Sequence, residues 1–144
     1  MIQYKEGNIL EEEAEALVNT VNTYGVMGKG IALAFKKAFP KNYKYYRQAY
    51  ENGELETGKM FLHKTGLLLP KYIINFPTKK HWRYKSKLEY IEQGLDDLIF
   101  IIESNRIQSI AIPPLGCGNG GLDWKIVKKL IIDKLAPLLS LIHI

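Results

Sequence analysis

Two stretches of this chain have residue types suited to phosphate: Asn22-Thr23-Tyr24-Gly25-Val26-Met27-Gly28-Lys29-Gly30 and Gly116-Cys117-Gly118-Asn119-Gly120-Gly121. Each follows an apolar run (residues 16–21 and 109–114) and precedes a helical pattern. Glycine permits positive φ and lets a ligand approach the main chain closely. A helix N-terminus just beyond adds unpaired N–H groups and partial positive charge. One such loop also serves as a plain turn. Two in one small domain predict a pyrophosphate held from both sides.

Around these loops stand side chains of defined capability. Asn22 offers one acceptor and two donors, which suits ribose hydroxyls and equally suits a turn. Asn19 shares those options, but strand alternation gives it a structural role. Lys79 falls at the end of an apolar run, followed by Lys80. A neutral lysine can attack a sugar's anomeric carbon, and a cationic one can stabilise a leaving group. The first use needs a lowered pKa, from burial or from cations such as Lys80 and Arg83. By residue type alone a Lys-Lys pair is surface charge.

Residues 79–87 mix cations with Trp82 and Tyr84, a blend that holds phosphates while stacking a base, or that forms a solvated loop. His81 can shuttle a proton near neutral pH or contact a ligand. Cys117 has no activating partner in sequence, so its backbone matters more than its thiol.

The elements that must position these residues follow from periodicity. Residues 2–5, 16–22, 58–64, 71–76 and 107–112 read as strands. Helical spacing covers 31–39 and about 41–51, broken by Pro40 and stopped at Asn52-Gly53. Thr65 to Pro70 reads as a hairpin loop. Ser86 and Glu89 match a capping box opening a helix that runs to Glu103, and a last helix covers about 122–135. Residues 141–144 look like the opening of a further strand, at the edge of the sheet or of something longer. The alternation predicts an α/β sandwich with a mixed sheet, its ligand at the carboxyl ends of the strands.

A chain of 144 residues with 47% hydrophobic and 24% charged residues fits one domain, residues 1–144. No run is long enough to span a bilayer and no signal peptide is evident. One cysteine excludes an internal disulfide and points to a reducing cytoplasm. No cluster has metal-ligand spacing, so no metal or other cofactor is expected. A net charge of +5 and a pI near 9.2 permit a nucleic-acid partner.

Residues 18–22, 25–32 and 114–122 resemble the macrodomains, the ADP-ribose-binding modules. Residues 75–83, Asn-Phe-Pro-Thr-Lys-Lys-His-Trp-Arg, narrow the resemblance to the DarG family. These bacterial antitoxins remove ADP-ribose placed on thymine bases of DNA by the toxin DarT. The resemblance runs from Gly7-Asn8-Ile9-Leu10 to the last helix. It implies a three-layer α/β/α sandwich and a hydrolase acting on ADP-ribosylated single-stranded DNA. The residues it implies for ADP-ribose are Asn8 at the adenine, Ile9, Asn22 at the distal ribose, Thr78, and two phosphate loops. Those loops comprise Gly25, Val26, Met27, Gly28, Lys29 and Gly30, then Leu115, Gly116, Cys117, Gly118, Asn119, Gly120 and Gly121. Lys79 is the implied catalytic residue, with Lys80, His81, Trp82 and Arg83 toward DNA.

The related terminal ADP-ribose protein glycohydrolase shares the Met-Gly-x-Gly-Ile-Ala loop and a lysine matching Lys79. It carries a catalytic aspartate where this chain has Gly120, so a mechanism needing that aspartate does not carry over. Asp123 reads instead as a first-turn helix residue. Two other readings stay open: a hydrolase of ADP-ribose esters on acidic side chains, and a reader of ADP-ribose without turnover. The resemblance further implies contact with the toxin DarT, chiefly through a C-terminal domain that this length does not accommodate. The expectation is therefore a monomeric catalytic fragment of a longer chain, without a membrane partner.

Overall fold

The computed structural model describes residues 2–138 and 141–143. Strand β2 (Ala16–Asn22) shows how the layers arise. Successive side chains of a strand point to opposite faces. Ala16 and Val18 therefore enter one core with Ile74 and Phe76, while Leu17 enters another with Ile73 and Phe35. Val21 faces a third cluster with Met27 and Tyr46. Burial on both faces explains why this strand reads as a nearly unbroken apolar run.

The sheet has the order β1 (Ile2–Gln3), β6 (Leu141–His143), β5 (Ser109–Ala111), β2, β4 (Tyr72–Lys79), β3 (Phe61–Lys64). Every pair is parallel except β3 with β4, the expected hairpin. Helices α3 (Leu88–Asn105) and α4 (Trp124–Leu135) supply Ile91, Leu95, Val127 and Ile131 to the first core. Helices α1 (Gly30–Ala38) and α2 (Pro40–Glu51) supply Phe35 and Tyr46 to the opposite face. The result is a three-layer α/β/α sandwich with a mixed sheet. Among the described residues no helix is long and apolar enough to cross a membrane.

Several boundaries differ from the sequence reading. Strand β4 runs three residues past Phe76, through Pro77 to Lys79, beyond the last residue paired with β3, Asn75. A proline lacking its N–H is tolerated where pairing is lost or bulged. Pro40 opens α2 at its first position, where that N–H has no helical partner. The capping box does not form: α3 starts at Leu88 after Lys87, one residue too late for Ser86 to cap it. Asp123 is not inside a first turn but caps α4, its carboxylate accepting the Lys125 N–H at 3.0 Å. The terminal strand is not an edge, because β6 lies between β1 and β5; Ile144 lies outside the described residues.

Candidate active site

The bulge at the end of β2 builds the site. Val21 pairs with Pro77, but Asn22 pairs with Lys79, so Thr78 is the extra residue on β4. A bulge re-aims the side chains beside it, and here it sets Lys79 against Asn22 at the carboxyl end of the sheet. Thr23 fastens the junction, its N–H donating to Lys79 O at 3.0 Å and its hydroxyl to Lys80 O at 2.9 Å.

A cleft of about 540 Å³ opens there, lined by both glycine loops together with Asn22, Thr78, Lys79 and Trp82. Helix α1 begins at its rim with Lys29 in the N-cap position and no side-chain cap. Its first N–H groups therefore have no partner behind them and face the cleft beside Gly28 and Gly30. In the second loop the N–H of Cys117 is taken by Pro114 O, that of Gly121 by Gly118 O and that of Leu122 by Gly116 O. The N–H groups of Gly118, Asn119 and Gly120 have no acceptor among the described residues. The cleft thus presents backbone donors from two sides. Only the first loop adds a helix N-terminus, since Asp123 already occupies that of α4.

The first loop is held by its own asparagine. Asn22 Nδ2 donates to Val26 O at 2.8 Å, while Oδ1 accepts the N–H groups of Tyr24 (3.0 Å) and Val26 (3.3 Å). Beneath it the buried Tyr46 hydroxyl lies 2.8 Å from Asn22 O and 2.9 Å from Asn22 Oδ1. Burial pushes the Tyr46 hydroxyl pKa well up, so it stays a donor. Gly25 has φ +78° and lies where a Cβ would strike the Tyr50 ring and the Arg47 guanidinium. Arg47 donates to Gly25 O at 2.9 Å and closes the loop against α2. Asn19 is structural, as alternation predicts: it is fully buried and donates to Asn75 Oδ1 at 3.1 Å.

Lys79 is half-buried in the cleft wall, and its pKa is lowered, first by burial and then by the charge of Lys29. The neighbouring cation is therefore Lys29 of the first loop, not Lys80 or Arg83. Those two point elsewhere, Lys80 over the Tyr90 ring at 5.9 Å and Arg83 over Trp82 at 4.6 Å. Cys117 is no nucleophile, since burial and then Asp123 push its thiol up.

A second cavity of about 550 Å³ meets the first across Ile31 and Pro114. It holds Asn8 and Ile9 with Tyr4, Trp124 and Lys128. Asn8 Oδ1 accepts the Leu10 N–H at 3.0 Å, leaving its second lone pair for a ligand. Together the two cavities form one long groove.

The macro domain profile matches residues 18–131. The macrodomain of Mycobacterium tuberculosis DarG superposes with a TM-score of 0.96 at 52% identity, covering 99% of this chain and 97% of that one. The chain belongs to the macrodomain family, on its DarG branch. A DNA ADP-ribosyl glycohydrolase of Thermus aquaticus is 55% identical over 139 residues, 96% of this chain and 39% of its own length. Thermosipho africanus DarTG, solved in complex with ADP-ribose, matches with a TM-score of 0.90 at 36% identity, covering 99% of this chain and 40% of that one. The chain spans about two fifths of the length of the curated relatives it matches.

The second loop of this chain leaves no room for an aspartate at Gly120. A Cβ there would collide with the Gly116 carbonyl, 2.8 Å from its carbon and 2.9 Å from Gly116 Cα. Gly120 O also receives the Ser86 N–H at 3.0 Å, so Ser86 serves this loop rather than α3.

Not all the expected residues gather in the cleft. Met27 and Leu115 are buried side chains of the core, so they can reach a ligand only through their backbone. Cys117 also packs against the core, and Lys80, His81 and Arg83 lie outside the cleft. Tyr46, Arg47 and Lys29's partnership with Lys79 went unread. Tyr46 did leave a signal: Asn42, Tyr46 and Ala49 share one helical face, and a buried tyrosine needs a partner for its hydroxyl.

Proposed function

We propose that this macrodomain cleaves the N-glycosidic bond between ADP-ribose and thymine in single-stranded DNA, reversing the modification made by a DarT-type toxin. The name of the Thermus aquaticus relative and the ADP-ribose held by the Thermosipho africanus one support the substrate. Adenosine fits the cavity at Asn8 and Ile9, with Tyr4 and Trp124 as aromatic walls. The diphosphate then crosses between the helix α1 N-terminus and the Gly118–Gly120 donors. The distal ribose reaches Thr78 and Lys79, and Asn22 has one amide proton left for it.

The observation that carries the reading is Lys79, a lysine with lowered pKa in the wall of the cleft that both loops line. Burial and Lys29 favour its neutral form, which is the form able to attack. Nζ bonds to the anomeric carbon as the carbon–nitrogen bond to thymine breaks, and the thymine nitrogen takes the proton that Nζ loses. The ribose ring then opens to an imine on Lys79; water adds at the same carbon, the carbon–Nζ bond breaks, and ADP-ribose leaves with the amine restored. The ester reading is disfavoured because Gly120 cannot carry the aspartate of the related protein glycohydrolase. The full-length protein would meet its toxin in the cytoplasm, this chain being a catalytic fragment.

The test compares a single-stranded oligonucleotide ADP-ribosylated on thymine with a glutamate-ADP-ribosylated protein. Release from the oligonucleotide is expected. Lys79→Ala abolishes it while affinity for free ADP-ribose stays within a few fold, since remote contacts supply most of the binding. Lys79→Arg fails too, because guanidinium stays protonated, and borohydride traps the wild-type adduct. Full activity of Lys79→Ala overturns the assignment.

A further inference from the structure

Beside the cleft, four rings meet that come from two separate loops. His81 is the hub: its ring centroid lies 4.4 Å from Tyr24, 5.0 Å from Trp82 in a stacked arrangement, and 5.1 Å from Tyr84. His81 Nδ1 accepts the Arg83 N–H at 3.0 Å, which ties the hub to the backbone of its own loop. Around it Tyr24 is 46% exposed, Trp82 42% and Tyr84 63%. Tyr24 is braced from behind by Tyr50 at 5.7 Å, and Arg47 holds Tyr50 and Gly25 together.

Exposed rings assembled in this way offer faces on which bases can stack. From residue 57 to residue 88 the chain has no Asp or Glu. Lys80, Arg83, Lys85 and Lys87 stand exposed along the same stretch. Rings beside cations that form no salt bridge among the described residues suit a single-stranded nucleic acid, whose bases stack while its phosphates meet the cations. Trp82 also lines the cleft, so the rings begin where the modified base would leave it.

We infer that Tyr24, Trp82 and Tyr84, assembled around His81, form a shelf for the unmodified nucleotides flanking the ADP-ribosylated thymine. Tyr24 is its specificity-determining member. It stands on the first loop, yet its ring does not line the cleft, so it meets the strand and not the diphosphate. His81 is a positioning residue for the rings. The inference rests on single-stranded DNA being the substrate, and it adds where the flanking bases go.

The experiment uses Tyr24→Ser and Tyr24→Phe, whose exposed side chain allows both to fold. Three quantities are read: affinity for an unmodified oligothymidine by fluorescence anisotropy, KM for a thymine-ADP-ribosylated oligonucleotide, and turnover of ADP-ribosylated thymidine monophosphate. Tyr24→Ser is expected to weaken oligothymidine binding and raise the oligonucleotide KM about tenfold, the loss of one stacked base. The mononucleotide, having no neighbours to stack, is turned over as by wild type. Tyr24→Phe stays within twofold in all three. An unchanged oligonucleotide KM and affinity in Tyr24→Ser overturns the shelf, as does an equal loss on the mononucleotide. Wild-type protein that binds oligothymidine through Tyr24 but hydrolyses neither substrate refutes the proposed hydrolysis and leaves the shelf standing.

Discussion

Gly120→Ala isolates the second loop with a single methyl group. Its Cβ would collide with the Gly116 carbonyl and sit 2.8 and 2.9 Å from the carbon and Cα of Gly116. Carbon contacts are comfortable at about 3.5–4.0 Å, so the two strands of the loop must part by more than about 0.5 Å. Both are pinned: Gly116 O holds the Leu122 N–H at 2.9 Å and Gly120 O holds the Ser86 N–H at 3.0 Å. Overpacking costs roughly 1–3 kcal/mol, and losing one of these hydrogen bonds about 1 kcal/mol more. A total of about 2–4 kcal/mol lowers Tm by roughly 6–15 °C in a domain of this size.

Gly118→Ala is the control, because a Cβ there meets nothing within 4 Å although it lies in the same loop. Its Tm is expected within about 2 °C of wild type, as for a surface change of about 0.5 kcal/mol. Differential scanning calorimetry gives both numbers. Titration with ADP-ribose should show at least a tenfold loss for Gly120→Ala, since the Gly118–Gly120 donors move with the loop. Gly120→Asp should melt no higher than Gly120→Ala and gain no activity on glutamate-linked ADP-ribose. A Gly120→Ala protein that melts with wild type, or with Gly118→Ala, refutes the steric reasoning.

Two further variants test the first loop. Tyr46→Phe removes the buried hydroxyl facing Asn22 O and Oδ1, so stability should fall by about 1–2 kcal/mol and ADP-ribose affinity several-fold; unchanged melting and calorimetry would separate Tyr46 from the loop. Lys29→Met removes the second cause of the lowered Lys79 pKa. If neutral Lys79 attacks, kcat rises with pH through that pKa. The variant moves this limb to higher pH and lowers kcat at neutral pH, and a pH–kcat profile with an unmoved limb would deny Lys29 that role.

Much of the architecture was legible because it depends on near neighbours. Both glycine loops, the apolar run of β2, Pro40 at the head of α2 and the stop at Asn52-Gly53 are local statements about φ, burial and period. The same holds for Lys79 at a strand end, although the apolar pattern stops at Phe76 and the strand continues three residues further. Capping depends on register to one residue, so Ser86 and Asp123 were each placed wrongly by a small margin.

Composition and order along the chain determined the fold class and named the residues able to do chemistry. Only the tertiary structure decided which of them meet. Lys29 and Lys79 are fifty residues apart in sequence, yet Lys29 is what adds to the effect of burial on Lys79. Tyr24 and His81 meet only because the bulge on β4 brings Asn22 opposite Lys79. The terminal strand lies one place in from the edge because β1 pairs outside it and β5 inside it. Local sequence sets a residue's conformation, whereas the distance between two distant side chains is set by the packing of the elements that carry them.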